Sequence, residues 1–290
     1  MTLRASAEIG ALPEDLIAAA VVAALAEDLG KVGDITSQAT IPAGAQATAT
    51  FGARKPGVLA GLPIAEAAFH AIDKSVRFES IRRDGDTVAA GEIAARVSGN
   101  ARAILAAERV ALNYLCHLSG IATATAALVQ SVAHTRAVIL DTRKTTPGLR
   151  LFEKYAVRCG GGRNHRMGLY DAILIKDNHI AVAGGVAEAI RAARRHAPGV
   201  SVEVEVGSVA ELKEAMAEKP DIVLLDNMST DDMRKAVGEV AGKAKLEASG
   251  NVTTATVAAI AETGVDFISS GWITHSAPAL DLGLDVVVHA

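Results

Sequence analysis

From residue 136 onward the chain carries six short apolar segments at regular intervals: AVIL (137–140), AILI (172–175), VEVEV (202–206), DIVLL (221–225), KLEA (245–248) and VDFI (265–268). Stretches of helical period fill the gaps, over 149–160, 184–197, 208–219, 229–242 and 253–263. Strands that alternate with helices return in the same direction each time, so the pattern predicts βα units and a parallel sheet. Such a sheet closes into a barrel or stays open and doubly wound. No GxGxxG follows the first segment, which disfavours the dinucleotide-binding form. A barrel places its chemistry at the C-terminal ends of the strands.

The chain upstream is built differently. Residues 12–30 predict a helix, with Pro13 at its start, Glu14 and Asp15 in its first turn and Gly30 past its end. Its apolar run, Leu16 to Ala26, is eleven residues long, too short to span a bilayer. Acidic residues precede that run where a secretory signal would be basic. Residues 31–100 read as short strands broken by Gly, Pro and Asp, pointing to a mostly β sandwich or half-barrel. Within it, DGDTVAAGEIAARVSG resembles a lipoyl-type hairpin but lacks the lysine at the tip, so it is read as structural. Residues 101–135 predict a helix whose apolar stripe includes Leu105, Leu112 and Cys116. Arg109 falls on that stripe, where a charge needs a partner: a structural carboxylate or an anionic ligand.

Composition removes several classes. Half the 290 residues are hydrophobic and 21% are charged, which is globular. A net charge of −4 and 3% aromatics argue against nucleic-acid binding by phosphate neutralisation or base stacking. Alanine occurs 58 times, which predicts a core of small side chains and close backbone approaches. The two cysteines form no CxxC, so neither a disulfide framework nor a structural zinc is indicated. The expectation is a soluble cytoplasmic protein with no membrane or nucleic-acid partner.

Every predicted strand end in the second half is polar. The first ends in Asp141-Thr142-Arg143-Lys144, the second in Lys176-Asp177-Asn178-His179 and the fourth in Asp226-Asn227. The third carries Glu203 and Glu205 on one face by its period of two, and the fifth carries Glu247. Carboxylates packed under helices are improbable, so this face predicts the barrel lumen. Residues 141–176 hold eight Lys or Arg against three Asp or Glu, a net of +5, which leaves −9 for the rest. Arg158, Arg163, His165 and Arg166 surround three glycines in RCGGGRNHR. A glycine cap with favourable cations explains Arg158 but not His165 and Arg166. Cations converging on one mouth predict a small polyanionic substrate.

Two glycine sites extend this. Ser249-Gly250-Asn251 leads into a helix capped by Thr253 or Thr254, and Ser270-Gly271 ends the next strand. Loops of the last two barrel strands commonly hold phosphate. Glu205 and Asp226, at adjacent strand ends, could hold Mg²⁺, which takes one or two carboxylates plus substrate phosphates. These demands together fit a sugar phosphate bearing a diphosphate, with a second anionic substrate.

The segment DTRKTTPGLRLFEKYAVRCGGGRNHRMGLYDAILIKDNHI (141–180) resembles the signature region of the quinolinate phosphoribosyltransferases, the decarboxylating nicotinate-nucleotide pyrophosphorylases. The resemblance continues in EDLGKVGDITS, AERVALNYLCHLSGIAT, VEVEV, LLDNMS and LEASGNV and so covers nearly the whole chain. It implies an N-terminal α+β open-sandwich domain followed by an incomplete six-stranded α/β barrel. The implied boundaries are 1–118 for the N-terminal domain, 119–274 for the barrel and 275–290 for a tail returning to the N-terminal domain. It implies quinolinate and phosphoribosyl pyrophosphate as substrates, Mg²⁺ as cofactor, and nicotinate mononucleotide, diphosphate and CO₂ as products. It implies a homodimer in which Arg109 reaches the neighbouring active site. By motif, Arg143, His165 and Arg166, beside Thr142, would bind the two quinolinate carboxylates. Lys144 and Lys176 would bridge quinolinate and the diphosphate side. Glu205 and Asp226 would face the ribose and the metal. Ser249, Gly250, Asn251, Ser270 and Gly271, with His275, would hold the 5′-phosphate.

Three rivals remain at the level of sequence. Lys176 at the end of an apolar strand suits a Schiff-base aldolase. A related phosphoribosyltransferase could act on a monocarboxylate. A catalytically silent binding protein would retain the fold alone.

Overall fold

The computed structural model describes residues 9–289; residues 1–8 and 290, the extremities of the expected first domain and tail, lie outside the described residues. Two compact units emerge. The first comprises the chain up to Ala124, Leu151–Gly161 and the segment from Ala277; the second comprises Thr125–Arg150 and Gly162–Ser276. The segment 151–161, which the sequence reading puts in the barrel, therefore clusters with the first unit.

In chain order, the elements up to the long helix are α1 (Glu14–Leu29), α2 (Ile35–Thr40), β1 (Gln46–Ala53), β2 (Gly57–Val58), α3 (Leu62–Ile72), β3 (Arg77–Ser80), β4 (Thr87–Val88), β5 (Ile93–Asn100) and α4 (Ala101–Ser131). Then follow β6 (Val138–Leu140), α5 (Arg150–Cys159), β7 (Ile173–Ile175), α6 (Asp177–Ala183), α7 (Val186–His196), β8 (Val202–Val206), α8 (Val209–Ala217), β9 (Ile222–Asp226), α9 (Thr230–Val240), β10 (Lys245–Ser249), α10 (Val257–Ala261), β11 (Phe267–Ser269), α11 (Trp272–His275) and β12 (Leu282–His289).

The first unit holds a four-stranded antiparallel sheet in the order β12-β1-β5-β3. Alternate residues of β1 are buried, and Phe51 meets Phe69 of α3 and Phe78 of β3 at centroid distances of 5.9 and 6.0 Å. The helix α3 corrects the expectation of strands throughout 31–100. Leu62, Ala65 and Phe69 repeat at helical spacing and are all buried. Its free N-terminal amides are met by Asp84, which accepts from Gly61 N (2.8 Å) and Leu62 N (3.1 Å). Tyr155 donates to the same carboxylate at 2.8 Å.

Small residues let backbones approach α4. A Cβ at Gly120 would lie 2.2 Å from the carbonyl oxygen of Pro278. Ser119 Oγ accepts from Ala60 N and Thr123 Oγ1 from Val58 N. By length and composition α4 could cross a membrane, but 56% of its most apolar window is buried within the protein. Arg109 is exposed, which corrects its placement on an apolar stripe; Leu105 beside it is itself only half-buried.

The second unit contains six parallel strands in the order β6-β11-β10-β9-β8-β7. Read along the chain, that is the circular order of a six-stranded barrel left open between its first and second strands. Arg163 lines the free edge of β6: its N–H donates to Ile139 O (2.9 Å) and its carbonyl accepts from Asp141 N (3.2 Å). Register partners in parallel strands point the same way, so Glu205, Leu224, Glu247 and Phe267 form one layer. Asp226, Ser249 and Ser269 form the next, nearer the C-terminal ends.

Candidate active site

The cationic region between β6 and β7 is shaped by two acidic side chains. Asp141, fully buried, accepts from Asn164 Nδ2 and from His165 N (2.9 Å). Asp171 accepts from Met167 N (2.7 Å) and Gly168 N (2.9 Å). Arg150 clasps both sides of the loop, with Nε donating to Thr145 Oγ1 (3.0 Å) and Nη1 to Met167 O (3.2 Å). Asp141 is thus a loop-building residue, and neither Asn164 nor Arg150 is signalled as such by the sequence pattern.

Within this frame Arg143 and Arg166 are close enough to repel. Partial burial first, and then the Arg143 guanidinium, lower the pKa of Arg166 from the usual arginine value; Glu203 and Asp171 act in the opposite sense. Arg166 Nη1 donates to Ala172 O (3.2 Å). Arg143 Nε is buried and finds no acceptor among the described residues. A buried donor beside a second cation suits an incoming carboxylate.

His165 is held at both ring nitrogens. Nδ1 accepts from Arg166 N (2.8 Å), while Nε2 lies 3.0 Å from Glu203 Oε2 and 3.6 Å from Glu247 Oε2. These three side chains are near enough together to hold a metal ion. The tautomer argues otherwise. Accepting at Nδ1 leaves the proton of a neutral ring on Nε2, which then donates to Glu203 and offers no lone pair. Burial, followed by the Glu203 charge, pushes Glu247 up to about 7, and His165 pulls the other way.

At the end of β7, Lys176 Nζ sits 3.3 Å from Glu205 Oε2. A Schiff-base lysine works as a neutral amine in an apolar pocket. Lys176 is nearly half exposed and faces a carboxylate, which disfavours the aldolase rival. Neither cysteine is a prepared nucleophile: burial raises both thiols, Cys159 to about 12.

The glycine loops meet one another across the strand ends. Gly250 has φ +95°, and a Cβ there would stand 2.1 Å from Asn227 Oδ1. Asn227 N donates to Ser249 O (2.9 Å), and Asn227 Nδ2 to Asp226 Oδ2 (2.8 Å). Asn251 Nδ2 donates to Asn227 Oδ1 at 3.4 Å. Ser249, Gly250, Asn251 and Asp226 therefore share one hydrogen-bonded corner. At Gly271 a Cβ would lie 2.8 Å from Lys144 Cδ and 3.3 Å from His275 Cδ2. Thr274 Oγ1 donates to Lys144 O (2.8 Å). Lys144, Gly271 and His275 are thus neighbours, next to Ser270, whose N–H is spent on Leu140 O (3.0 Å). The predicted cap at Thr253 or Thr254 needs adjustment. The α-helix proper starts at Val257, and a turn precedes it in which Thr256 Oγ1 accepts from Thr253 N (2.9 Å). Thr142 is half-buried beside Arg143, and its Oγ1 accepts from Lys144 N (3.0 Å). Arg109 belongs to the other unit and has no ion pair among the described residues.

The second unit is an α/β-barrel enzyme fold with paired cations, paired carboxylates and glycine loops at its strand ends. Two family models match the chain: "Quinolinate phosphoribosyl transferase, N-terminal domain" over residues 34–119 and "Quinolinate phosphoribosyl transferase, C-terminal domain" over 121–285. A nicotinate-nucleotide pyrophosphorylase [carboxylating] of Mycobacterium leprae is 46% identical over 268 residues, covering 91% of this chain and 94% of that protein. A mitochondrial quinolinate phosphoribosyltransferase [decarboxylating] of Nicotiana tabacum is 45% identical, covering 91% and 80%. The solved nicotinate-nucleotide pyrophosphorylase of Francisella tularensis superposes with a TM-score of 0.91 at 43% identity, covering 97% of this chain and all of that one. The chain belongs to the quinolinate phosphoribosyltransferase family and is an enzyme of the phosphoribosyltransferase class.

Proposed function

We propose that the protein transfers the phosphoribosyl group of phosphoribosyl pyrophosphate to quinolinate with decarboxylation, giving nicotinate mononucleotide, diphosphate and CO₂ in de novo NAD biosynthesis. The observation that carries the choice of a dicarboxylate is the convergence of Arg143 and Arg166, with Arg143 Nε buried and unbonded among the described residues. A dicarboxylate can meet both guanidiniums at once. Arg109, exposed and without an ion pair among the described residues, is assigned to the pocket of a second copy in a homodimer.

Glu205 and Asp226 offer hard oxygen donors at neighbouring strand ends, a donor set that fits Mg²⁺. Mg²⁺, when bound, supplies charge neutralisation for the diphosphate. Lys144 and Lys176 add positive charge on that side. The anomeric C–O bond breaks with its electron pair on diphosphate, and the carboxylates near the ribose stabilise the cationic sugar. The arginines orient the pyridine nitrogen, whose lone pair forms the new C–N bond. The ring nitrogen is then cationic. The pair released when the adjacent carboxylate leaves as CO₂ stays on that ring carbon, stabilised by the positive nitrogen beside it, and is taken up by a solvent proton. Ser249, Gly250, Asn251, Ser270, Gly271 and His275 hold the 5′-phosphate, and Thr142 supports the acceptor beside Arg143.

Purified protein supplied with phosphoribosyl pyrophosphate and Mg²⁺ tests this against quinolinate, nicotinate and nicotinamide. The reading expects mononucleotide from quinolinate alone, abolished by a chelator. Mononucleotide from nicotinate at comparable efficiency overturns the dicarboxylate pocket.

A further inference from the structure

Two buried carboxylates of the parallel strands, Glu203 and Glu247, have no step in the reaction. Glu203 and Glu247 are 4% and 1% exposed, and Glu203 Oε1 and both Glu247 oxygens make no well-formed hydrogen bond to the described residues. Two acids buried together are costly unless something fixes them or they fix something. Their partner is His165, through Nε2, and the opposite ring nitrogen of His165 holds the amide of Arg166. The Glu203 charge at the same time favours the Arg166 guanidinium, more strongly than Asp171 does. One carboxylate therefore acts on both the backbone and the side chain of Arg166.

We infer that Glu203, backed by Glu247, is a positioning residue of the acceptor pocket, which holds His165 with its proton on Nε2 so that Nδ1 and the carboxylate together aim Arg166. In this arrangement His165 works through Arg166, because both of its ring nitrogens are already engaged within the protein. The inference rests on the acceptor reading above, and it identifies specificity residues that touch no substrate.

Two measurements test it. Nitrogen NMR of ¹⁵N-histidine-labelled protein, with His165→Asn for assignment, reads the ring directly. The expected spectrum has a pyridine-type Nδ1 and a protonated Nε2. A protonated Nδ1, or a ring bound to a metal found by elemental analysis, overturns the inference. The second measurement uses Glu203→Gln, which keeps shape and removes charge. It is expected to raise KM for quinolinate by about tenfold or more, as loss of a charged hydrogen-bond partner implies, with KM for phosphoribosyl pyrophosphate within about twofold. Equal changes in both KM values, or none, overturn it. Failure of the functional reading is distinguishable, since wild-type protein would then give no mononucleotide while the ring spectrum stood.

Discussion

Replacing Gly250 with alanine probes the corner where Ser249, Gly250 and Asn251 meet the end of β9. At φ +95° an L-residue costs about 1–2 kcal/mol. The new Cβ would also stand 2.1 Å from Asn227 Oδ1, 2.6 Å from its Cγ and 3.2 Å from its backbone nitrogen. The Asn227 side chain must swing away, breaking its bond to Asp226 Oδ2 and the contact from Asn251 Nδ2. Each such bond contributes about 0.5–1.5 kcal/mol, so the total reaches about 2–5 kcal/mol. Gly199→Ala is the control, because Gly199 has φ +86° and nothing within 4 Å of a built Cβ, leaving only the strain. Thermal melts should show a larger loss for Gly250→Ala than for the control. Steady-state kinetics should show KM for phosphoribosyl pyrophosphate rising at least about tenfold, the equivalent of about 1.4 kcal/mol. Equal melts for the two variants, with that KM unchanged, would refute the corner as a binding element.

The remaining predictions concern other parts of the molecule. Tyr155→Phe leaves the half-buried Asp84 short of one donor and should cost about 1–2 kcal/mol in a denaturant titration, with kcat unchanged. Glu247 is raised from 4.5 to about 7 in the folded protein, so its contribution to stability is full below about pH 4.5 and is lost as pH rises through 7. Glu247→Gln should therefore flatten the stability profile between those limits by up to about 3 kcal/mol, measured by melts across pH. Arg109→Ala and Lys176→Ala should each be inactive alone. Mixed after subunit exchange, they should regain one competent site per mixed dimer, and no recovery after proven exchange would contradict the shared site.

The parallel strands were legible because burial on both faces leaves near-continuous apolar runs, and all six observed strands overlap the predicted segments. The helix α6 was not: it has no buried residue, so no apolar stripe marks it. α3 was hidden by its setting among turn residues, although Leu62, Ala65 and Phe69 carry a helical period. Arg109 shows the converse, since spacing from Leu105 and Leu112 suggested an inward face that the fold leaves exposed. In the site, period two put Glu203 and Glu205 on one face, yet the two have different neighbours. Glu205 meets Lys176, one strand away, while Glu203 meets His165 and Glu247. Those pairings depend on strand register and on the loop that Asp141 shapes, which are contacts between residues distant in the chain. Local spacing carries no information about them.

The account turns on a dicarboxylate acceptor that loses one carboxyl group. The most direct measurement follows quinolinate labelled in the carboxyl carbon next to the ring nitrogen, with phosphoribosyl pyrophosphate and Mg²⁺, and counts products together. The prediction is one labelled CO₂ and one diphosphate for each nicotinate mononucleotide, with no CO₂ when phosphoribosyl pyrophosphate is omitted. Mononucleotide that retains the label, or CO₂ released without the sugar donor, would contradict it.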